Sequence, residues 1–266
     1  MLVCGGDQSL IRRSPAWAIL LILLFPRQAD AIVDVSRAAN ETAAEGVSGR
    51  LSAGWQRRTG NTDRISGDGD FTGRYRAGDH LFLIILQSAY GEQSGDVYTD
   101  KDFFHGRYRL AFSDLLDGEL FGQNARNKLL GYRERRLLGA GPRLKLIQSE
   151  ELQLYTGLAW MLETEHLAAD AVEEDGETRK QVQRLSLSVQ YIHKISPALS
   201  VDLSAYYQPS LETSTDRRFT GAGSLRMHLT DALEFFSRVN ASADTEPAAG
   251  REKTDMSMDN GLSLTF

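Results

Sequence analysis

Apolar and polar residues alternate along most of this chain of 266 residues, and this alternation is the feature that most restricts its fold. Near the end of the chain, Met256, Met258 and Leu262 alternate with polar or small residues. A period of two is typical of a β-strand with one apolar and one polar face. We segment about twelve such runs along the chain. They centre near residues 47–58, 64–76, 80–91, 97–112, 117–124, 131–147, 151–166, 181–193, 198–208, 218–229, 232–244 and 254–266.

The length of these runs and of their connections indicates a membrane protein. A tilted strand needs roughly 9–11 residues to cross hydrocarbon, whereas soluble strands are nearer five or six, and many runs here reach the longer value. Short connections such as 194–197 alternate with long ones such as 166–180, a pattern typical of outer-membrane barrels. Because backbone polar groups must be paired inside lipid, such strands have to close. We predict an all-β fold, a transmembrane antiparallel up-and-down β-barrel of about 12 strands.

The first residues are typical of an export signal. Arg12 and Arg13 precede a short apolar core at 16–25, and a small-x-small site ends at Ala31. The core is too short to span roughly 30 Å of hydrocarbon. We predict a signal peptide at 1–31, a short periplasmic lead at 32–45 and the barrel at 46–266. Since the chain's one cysteine is Cys4, the exported barrel would contain no disulfide.

The last residues resemble a sorting signal for the outer membrane. Leu262, Leu264 and Phe266 form an alternating apolar end of the kind read by the barrel assembly machinery. The predicted location is therefore the cell outer membrane of a Gram-negative bacterium, reached through the secretory pathway. Expected partners are outer membrane lipid, lipopolysaccharide and that assembly machinery. A net charge of -6 lacks the basic footprint of a nucleic-acid binder.

Four segments together resemble the salt-induced outer membrane protein family of YdiY type, a group also known as domain of unknown function 481. They are Gly60–Asp63, Leu137–Gly141, Arg184–Ser188 and Asp259–Phe266. The similarity covers about 46–266. It implies a Gram-negative outer-membrane barrel linked to osmotic or salt stress, with no established activity and no functional residues to transfer. Pro142 departs from the pattern, and because proline cannot donate to a ladder we expect a bulge or a lost hydrogen bond there.

If the apolar phase faces lipid, the polar phase supplies a lumen rich in charge. The candidate lumen-lining residues are Arg74, Arg76, Arg107, Arg109, Arg143, Glu163, Asp202 and Arg226. Cations cluster on the first six strands, and acids are spread more evenly. These charges favour either a salt-bridged plug or a narrow pore whose walls tune selectivity. If the pore conducts, the basic wall predicts a weak anion preference.

Catalytic patterns are weak. Histidines number five, His228 shares a phase with Ser224, and Asp202 lies two strands away in sequence, but the chain has no Gly-x-Ser-x-Gly elbow. The acidic run 170–177 departs from the EF-hand pattern. We therefore expect no enzyme, with no catalytic, cofactor-binding or metal residues and no cofactor.

The sequence as a whole favours a narrow small-solute or ion channel, or a structural envelope barrel, linked to osmotic or salt stress. Two alternatives belong to other classes. One is an outer-membrane lipid hydrolase, and the other is a soluble periplasmic ligand-binding β-barrel. The solute, the openness of the lumen and the oligomeric state stay open at this stage.

Overall fold

The computed structural model describes residues 45–168, 171, 178–230 and 232–264. The predicted signal peptide at 1–31, residues 32–44 of the predicted lead, most of the acidic run 170–177 and Phe266 lie outside the described residues.

Twelve strands follow one another along the described chain. They are β1 Gly46–Arg58, β2 Arg64–Ala77, β3 His80–Gln93, β4 Asp96–Ala111, β5 Leu116–Asn127, β6 Tyr132–Gln148, β7 Leu152–Leu167, β8 Arg179–Ser196, β9 Leu199–Pro209, β10 Arg217–His228, β11 Leu233–Asp244 and β12 Thr254–Leu264. Each strand pairs antiparallel with the next in a single sheet. The predicted up-and-down topology with about twelve strands is confirmed.

Side chains from distant strands show that this sheet curls around a common lumen. Gln87 of β3 and Asp255 of β12 line the same internal cavity. Arg107 of β4 forms a side-chain hydrogen bond with Tyr206 of β9, and Arg218 of β10 pairs with Glu163 of β7. The fold is therefore a β-barrel. Among the described residues the ladders run in order from β1 to β12, without one joining those two strands.

The barrel wall is apolar on its outer face and charged on its inner face, which is the reverse of a soluble protein. On the outer face, Leu51, Trp55 and Met256 are each more than 70 % exposed. On the inner face, charged groups such as Arg184 and Glu163 are fully buried. Contiguous exposed apolar surface of this extent is rare on soluble monomers and typical of a wall in contact with lipid. None of the described segments is a helix long and apolar enough to cross a membrane.

The connections divide the barrel into two ends. The long-loop end carries 59–63, 94–95, 128–131, 168–178, 210–216 and 245–253, and the short-turn end carries 78–79, 112–115, 149–151, 197–198 and 229–232. Aromatic rings gather on the outer face near the short-turn end, where Phe82 lies 6.1 Å from Tyr75 and 4.9 Å from Tyr108 between ring centroids. Such rings are typical of a membrane interface.

Of the two outcomes expected at Pro142, the structure shows the lost pairing and not the bulge, because Gly141 and Pro142 have no partner in the ladder of β6 with β7. The ladder of β6 with β7 keeps one register across this position, from Ala140 opposite Trp160 to Arg143 opposite Gly157. Its register shifts lie instead between Tyr132 and Glu134 and between Lys145 and Ile147. The neighbouring Gly141 explains this regularity, because a Cβ there would overlap the carbonyl of Leu158. The two strands approach closely enough to hold the register without a hydrogen bond from the proline.

Candidate lumen site

All eight predicted lumen residues lie on the inner phase of the sheet, the phase shared by buried Leu83 and Arg184. Arg74 and Arg76 are on β2, Arg107 and Arg109 on β4, Arg143 on β6, Glu163 on β7, Asp202 on β9 and Arg226 on β10. They do not meet at one point. Most of the buried ones belong to two ion clusters, and Arg226 pairs separately with Asp202 at 3.1 Å.

The first cluster joins β4, β5 and β6 and is termed the basic cluster. Its first part centres on Glu119, which the ladder places opposite Arg109. Arg109 Nη2 lies 2.6 Å from the carboxylate and Arg107 Nη1 lies 3.2 Å from it. All three side chains are nearly buried. The two guanidinium groups keep this carboxylate charged away from water.

The second part of the basic cluster lies towards the short-turn end. Asp117 Oδ2 accepts from Arg143 Nη1 at 2.6 Å, and Asp117 Oδ1 lies 2.9 Å from Lys145 Nζ. The guanidinium of Arg143 sits 3.6 Å from the ring centroid of Tyr155, which adds a cation-π contact. Because Arg107, Arg109, Arg143 and Lys145 share two carboxylates, the cluster carries an excess of positive charge.

The second cluster joins β6, β7, β8 and β10 and is termed the acid-centred cluster. Glu163 is 1 % exposed and lies 2.9 Å from Arg135 Nη2 and 3.4 Å from Arg184 Nε. It also pairs with Arg218, whose Nη1 lies 2.8 Å from the carboxylate of Glu165. Three guanidinium groups thus converge on two adjacent carboxylates of β7.

This cluster reaches the loops at the long-loop end through Asp216. Arg184 donates two hydrogen bonds to the Asp216 carboxylate at 2.8 and 2.9 Å, and Lys180 Nζ lies 3.1 Å from it. Burial would raise the pKa of Asp216, but hydrogen bonds from Arg184 and Lys180 hold that pKa below its ordinary value. Lys180 also contacts Glu246 at 3.4 Å. The loops 210–216 and 245–253 are therefore tied to the barrel wall.

Sequence reasoning missed four members of these clusters, namely Asp117, Lys180, Asp216 and Arg218, and also Asp244, which accepts from Arg218 Nε at 2.8 Å. Asp117, Arg218 and Asp244 sit at strand ends, where the predicted boundaries were too uncertain to assign a phase. Asp216 lies in a loop, and its partner Arg184 is 32 positions away. The pattern of alternation contains no signal for a pair of this kind.

The lumen has two unlike walls. The inner face of β4–β8, termed the packed wall, holds both clusters apart from Arg218 and Asp216, and residues such as His105, Ser186 and Gln190 are nearly buried there. The inner face of β10–β12, β1 and β2 is termed the open wall. It consists mainly of polar side chains that stay partly or fully exposed, including Ser52 and Arg238, although Arg218 of β10 is buried. Water therefore reaches one wall and is largely excluded from the other.

A cavity of about 220 Å³ lies between these walls towards the long-loop end. Its residues come from β3 to β12 and from the loop 245–253. Arg107, Glu119 and Tyr206 form its floor, because the hydrogen bond between Arg107 and Tyr206 crosses the lumen at that level.

The groups considered for catalysis have other contacts. Ser224 Oγ donates to Asp202 at 3.0 Å, and His228 Nε2 lies 3.5 Å from Glu234. The described contacts of these residues do not form a serine–histidine–acid chain.

The model of the family described as "Protein of unknown function, DUF481" matches residues 51–266. The chain belongs to this family. The suspected resemblance is thereby confirmed. No curated protein matches the chain.

Two solved structures show weak overall similarity to this chain. One is the NanC porin in a rhombohedral crystal form, with 8 % identity, a TM-score of 0.46, and coverage of 81 % of this chain and 99 % of that one. Another comes from a study of the in-meso crystallisation of membrane proteins, with 9 % identity, a TM-score of 0.37 and 83 % of each chain covered.

Proposed function

We propose that this DUF481 barrel is a narrow channel for ions or small solutes in the outer membrane of a Gram-negative bacterium. The passage runs along the open wall and past the cavity floor. The observation that carries this proposal is the contrast in exposure across the lumen, since water reaches the inner face of β10–β12, β1 and β2. A twelve-stranded barrel that is filled on one side leaves room for a narrow passage on the other.

The proposed selectivity is a weak anion preference. Basic groups outnumber acids on the inner phase of β1–β6, which supports this direction. The preference is weak because most buried cations already hold carboxylates, and because Arg226 of the open wall holds Asp202. Charges on a pore wall tune selectivity when they face the ion path.

Single-channel recording in a planar bilayer tests the proposal directly. The refolded protein should first show a heat-shifted gel band, which demonstrates a folded barrel. We expect small discrete current steps, and a salt gradient should give a reversal potential displaced modestly towards that of the anion. A folded barrel without current steps, or one with strong cation selectivity, would contradict the proposal.

A structural envelope barrel is the second candidate, and the side-chain contacts that cross the lumen favour it. Arg107 bonds to Tyr206, and Glu163 pairs with Arg218 two strands beyond its neighbour β8. These contacts across the lumen make the barrel more rigid and narrow the cross-section of its lumen. For this candidate, deletion of the gene should weaken the envelope under osmotic or salt stress even when bilayers containing the purified barrel show no current.

The proposed route to the membrane is export with a signal peptide at 1–31, followed by insertion by the barrel assembly machinery. The alternating end of the chain supports this route, because Leu262 of β12 faces outwards. Fractionation of cells, with detergent extraction of the outer membrane, tests the location. Release in the periplasmic fraction without detergent would instead support the soluble binding barrel.

A further inference from the structure

One side of the cavity is lined by neutral hydrogen-bonding groups. Ser186, Ser188, Tyr206, Gln208 and Thr220 all line it. The ladders place Ser188 opposite Tyr206 and Tyr206 opposite Thr220, and Gln208 Nε2 donates to Ser186 Oγ at 3.4 Å. Each hydroxyl both donates and accepts, and the amide supplies two donors and an acceptor. This patch on β8–β10 can therefore serve several hydroxyl groups of one solute.

The facing side of the cavity carries an aromatic strip on β4 and β5. Phe103, His105 and Phe121 line the cavity, and the His105 ring lies 6.3 Å from Phe103 and 6.4 Å from Phe121 between centroids. The ring of Phe121 packs over Gly139, where a Cβ would overlap it. Glycine at that position thus leaves room for the Phe121 ring against the wall. Aromatic faces carry partial negative charge and attract polarised C–H groups.

Three guanidinium groups that line the cavity are already paired with carboxylates. Arg107 lies 3.2 Å from Glu119, Arg135 lies 2.9 Å from Glu163, and Arg218 lies 2.8 Å from Asp244. A bound anion would have to displace these carboxylates from buried positions. The local chemistry therefore favours a ligand without charge.

The cavity volume limits the size of such a ligand. Sites for drug-sized molecules usually measure roughly 300–1,000 Å³, and this cavity of about 220 Å³ is smaller. We propose that the cavity is a binding site for a neutral polyhydroxylated solute of monosaccharide size. Its ring C–H face would lie on the Phe103–Phe121 strip, and its hydroxyls would bond to the β8–β10 patch. The site requires a folded barrel but does not require that the barrel conducts.

The test is equilibrium binding of D-glucose, with D-glucuronate as the charged probe of similar shape. The full chain is expressed with its first residues in place, purified in detergent and titrated by calorimetry or by saturation-transfer NMR. We expect saturable binding of glucose, with glucuronate binding no more tightly. Phe103→Leu keeps apolar volume but removes the ring, and it should weaken glucose binding at least tenfold. The matched control is Phe104→Leu, which changes an outward ring on the same strand and should leave binding within twofold.

A second pair of variants tests the hydrogen-bonding patch. Thr220→Val removes one hydroxyl at nearly constant volume and should weaken binding severalfold. Tyr207→Phe removes an outward hydroxyl on β9 and should change nothing. The proposal is overturned if a heat-shifted, folded barrel shows no saturable glucose binding. It is also overturned if Phe103→Leu binds as the parent does, or if glucuronate binds tenfold more tightly than glucose. Glucose binding without current steps would contradict the channel and leave this site standing.

Discussion

The packed wall and the open wall are built from the same strand pattern, yet they differ in what their polar side chains contact. On the packed wall, Glu163 and Arg184 are removed from water and held by opposite charges. On the open wall, Asp70 contacts Ser52 at 3.4 Å in an exposed setting. Buried charges require partners to stay charged, whereas exposed ones are solvated by water. The comparison teaches that one wall supplies rigidity and that the other wall stays available to solutes.

The largest expected difference between the walls comes from removing one acid from each. Glu163→Gln leaves Arg135, Arg184 and Arg218 short of a buried counter-charge and should lower the free energy of unfolding by about 3–5 kcal/mol. The matched change on the open wall is Asp70→Asn, which should cost about 0–1 kcal/mol. Urea unfolding of both variants in detergent micelles gives the comparison. Equal losses would show that the walls do not differ in this way.

Adding one methyl group to a strand of each wall tests how closely that strand packs against its neighbour. Gly141→Ala forces a Cβ into the carbonyl of Leu158, so β6 and β7 must separate at a cost of about 1–3 kcal/mol. The control on a strand of the open wall is Gly69→Ala, whose methyl group would point to the outer face of β2, where the nearest atom is the Ser52 carbonyl oxygen at 3.9 Å and space is ample. The same urea titration measures both variants. A Gly141→Ala barrel as stable as the parent would mean that the strands separate easily at this point.

The labelling rates of single-cysteine variants compare how easily water reaches each wall. Because Cys4 is the one natural cysteine and lies in the predicted signal, Ser52→Cys and Ser186→Cys would each be the sole thiol of the exported barrel. Ser52 is exposed and Ser186 is 6 % exposed. We expect a small charged thiol reagent to label position 52 at least tenfold faster. Similar rates would remove the distinction between the walls.

The smallest expected effect concerns ion selectivity. Asp70→Lys reverses a charge on the open wall and should shift the reversal potential further towards that of the anion. Arg109→Gln changes a buried cation of the packed wall and should leave the potential almost unchanged, provided that the barrel folds. Bilayer recording under a salt gradient distinguishes the two variants. A larger shift for Arg109→Gln would place the ion path along the packed wall.

Much of the fold is predictable from the sequence because alternation is a local signal. Each of the twelve strands can be predicted from its own residues. The same residues predict whether a side chain such as Arg107 or Arg226 points into the lumen. The clusters are harder to predict from the sequence, because the pairing of Arg184 with Asp216 depends on how the loop 210–216 folds back onto the barrel wall. The contrast between the walls is likewise invisible in the pattern, because Ser52 and Ser186 share the same inward phase. Register and curvature decide which of them meets water.

The pairing of Glu163 with Arg218 also bears on how the barrel is made. These residues are 55 positions apart in sequence and on strands that are not neighbours. The contact therefore cannot exist until β8, β9 and β10 have all added to the sheet, and contacts between distant residues form slowly. Until that moment the two carboxylates of β7 share only Arg135 and Arg184 as partners among the described residues. An insertion intermediate that stops before β10 would therefore hold two acidic side chains with one cation fewer than the folded barrel provides, next to a membrane interior in which unbalanced charge is unfavourable.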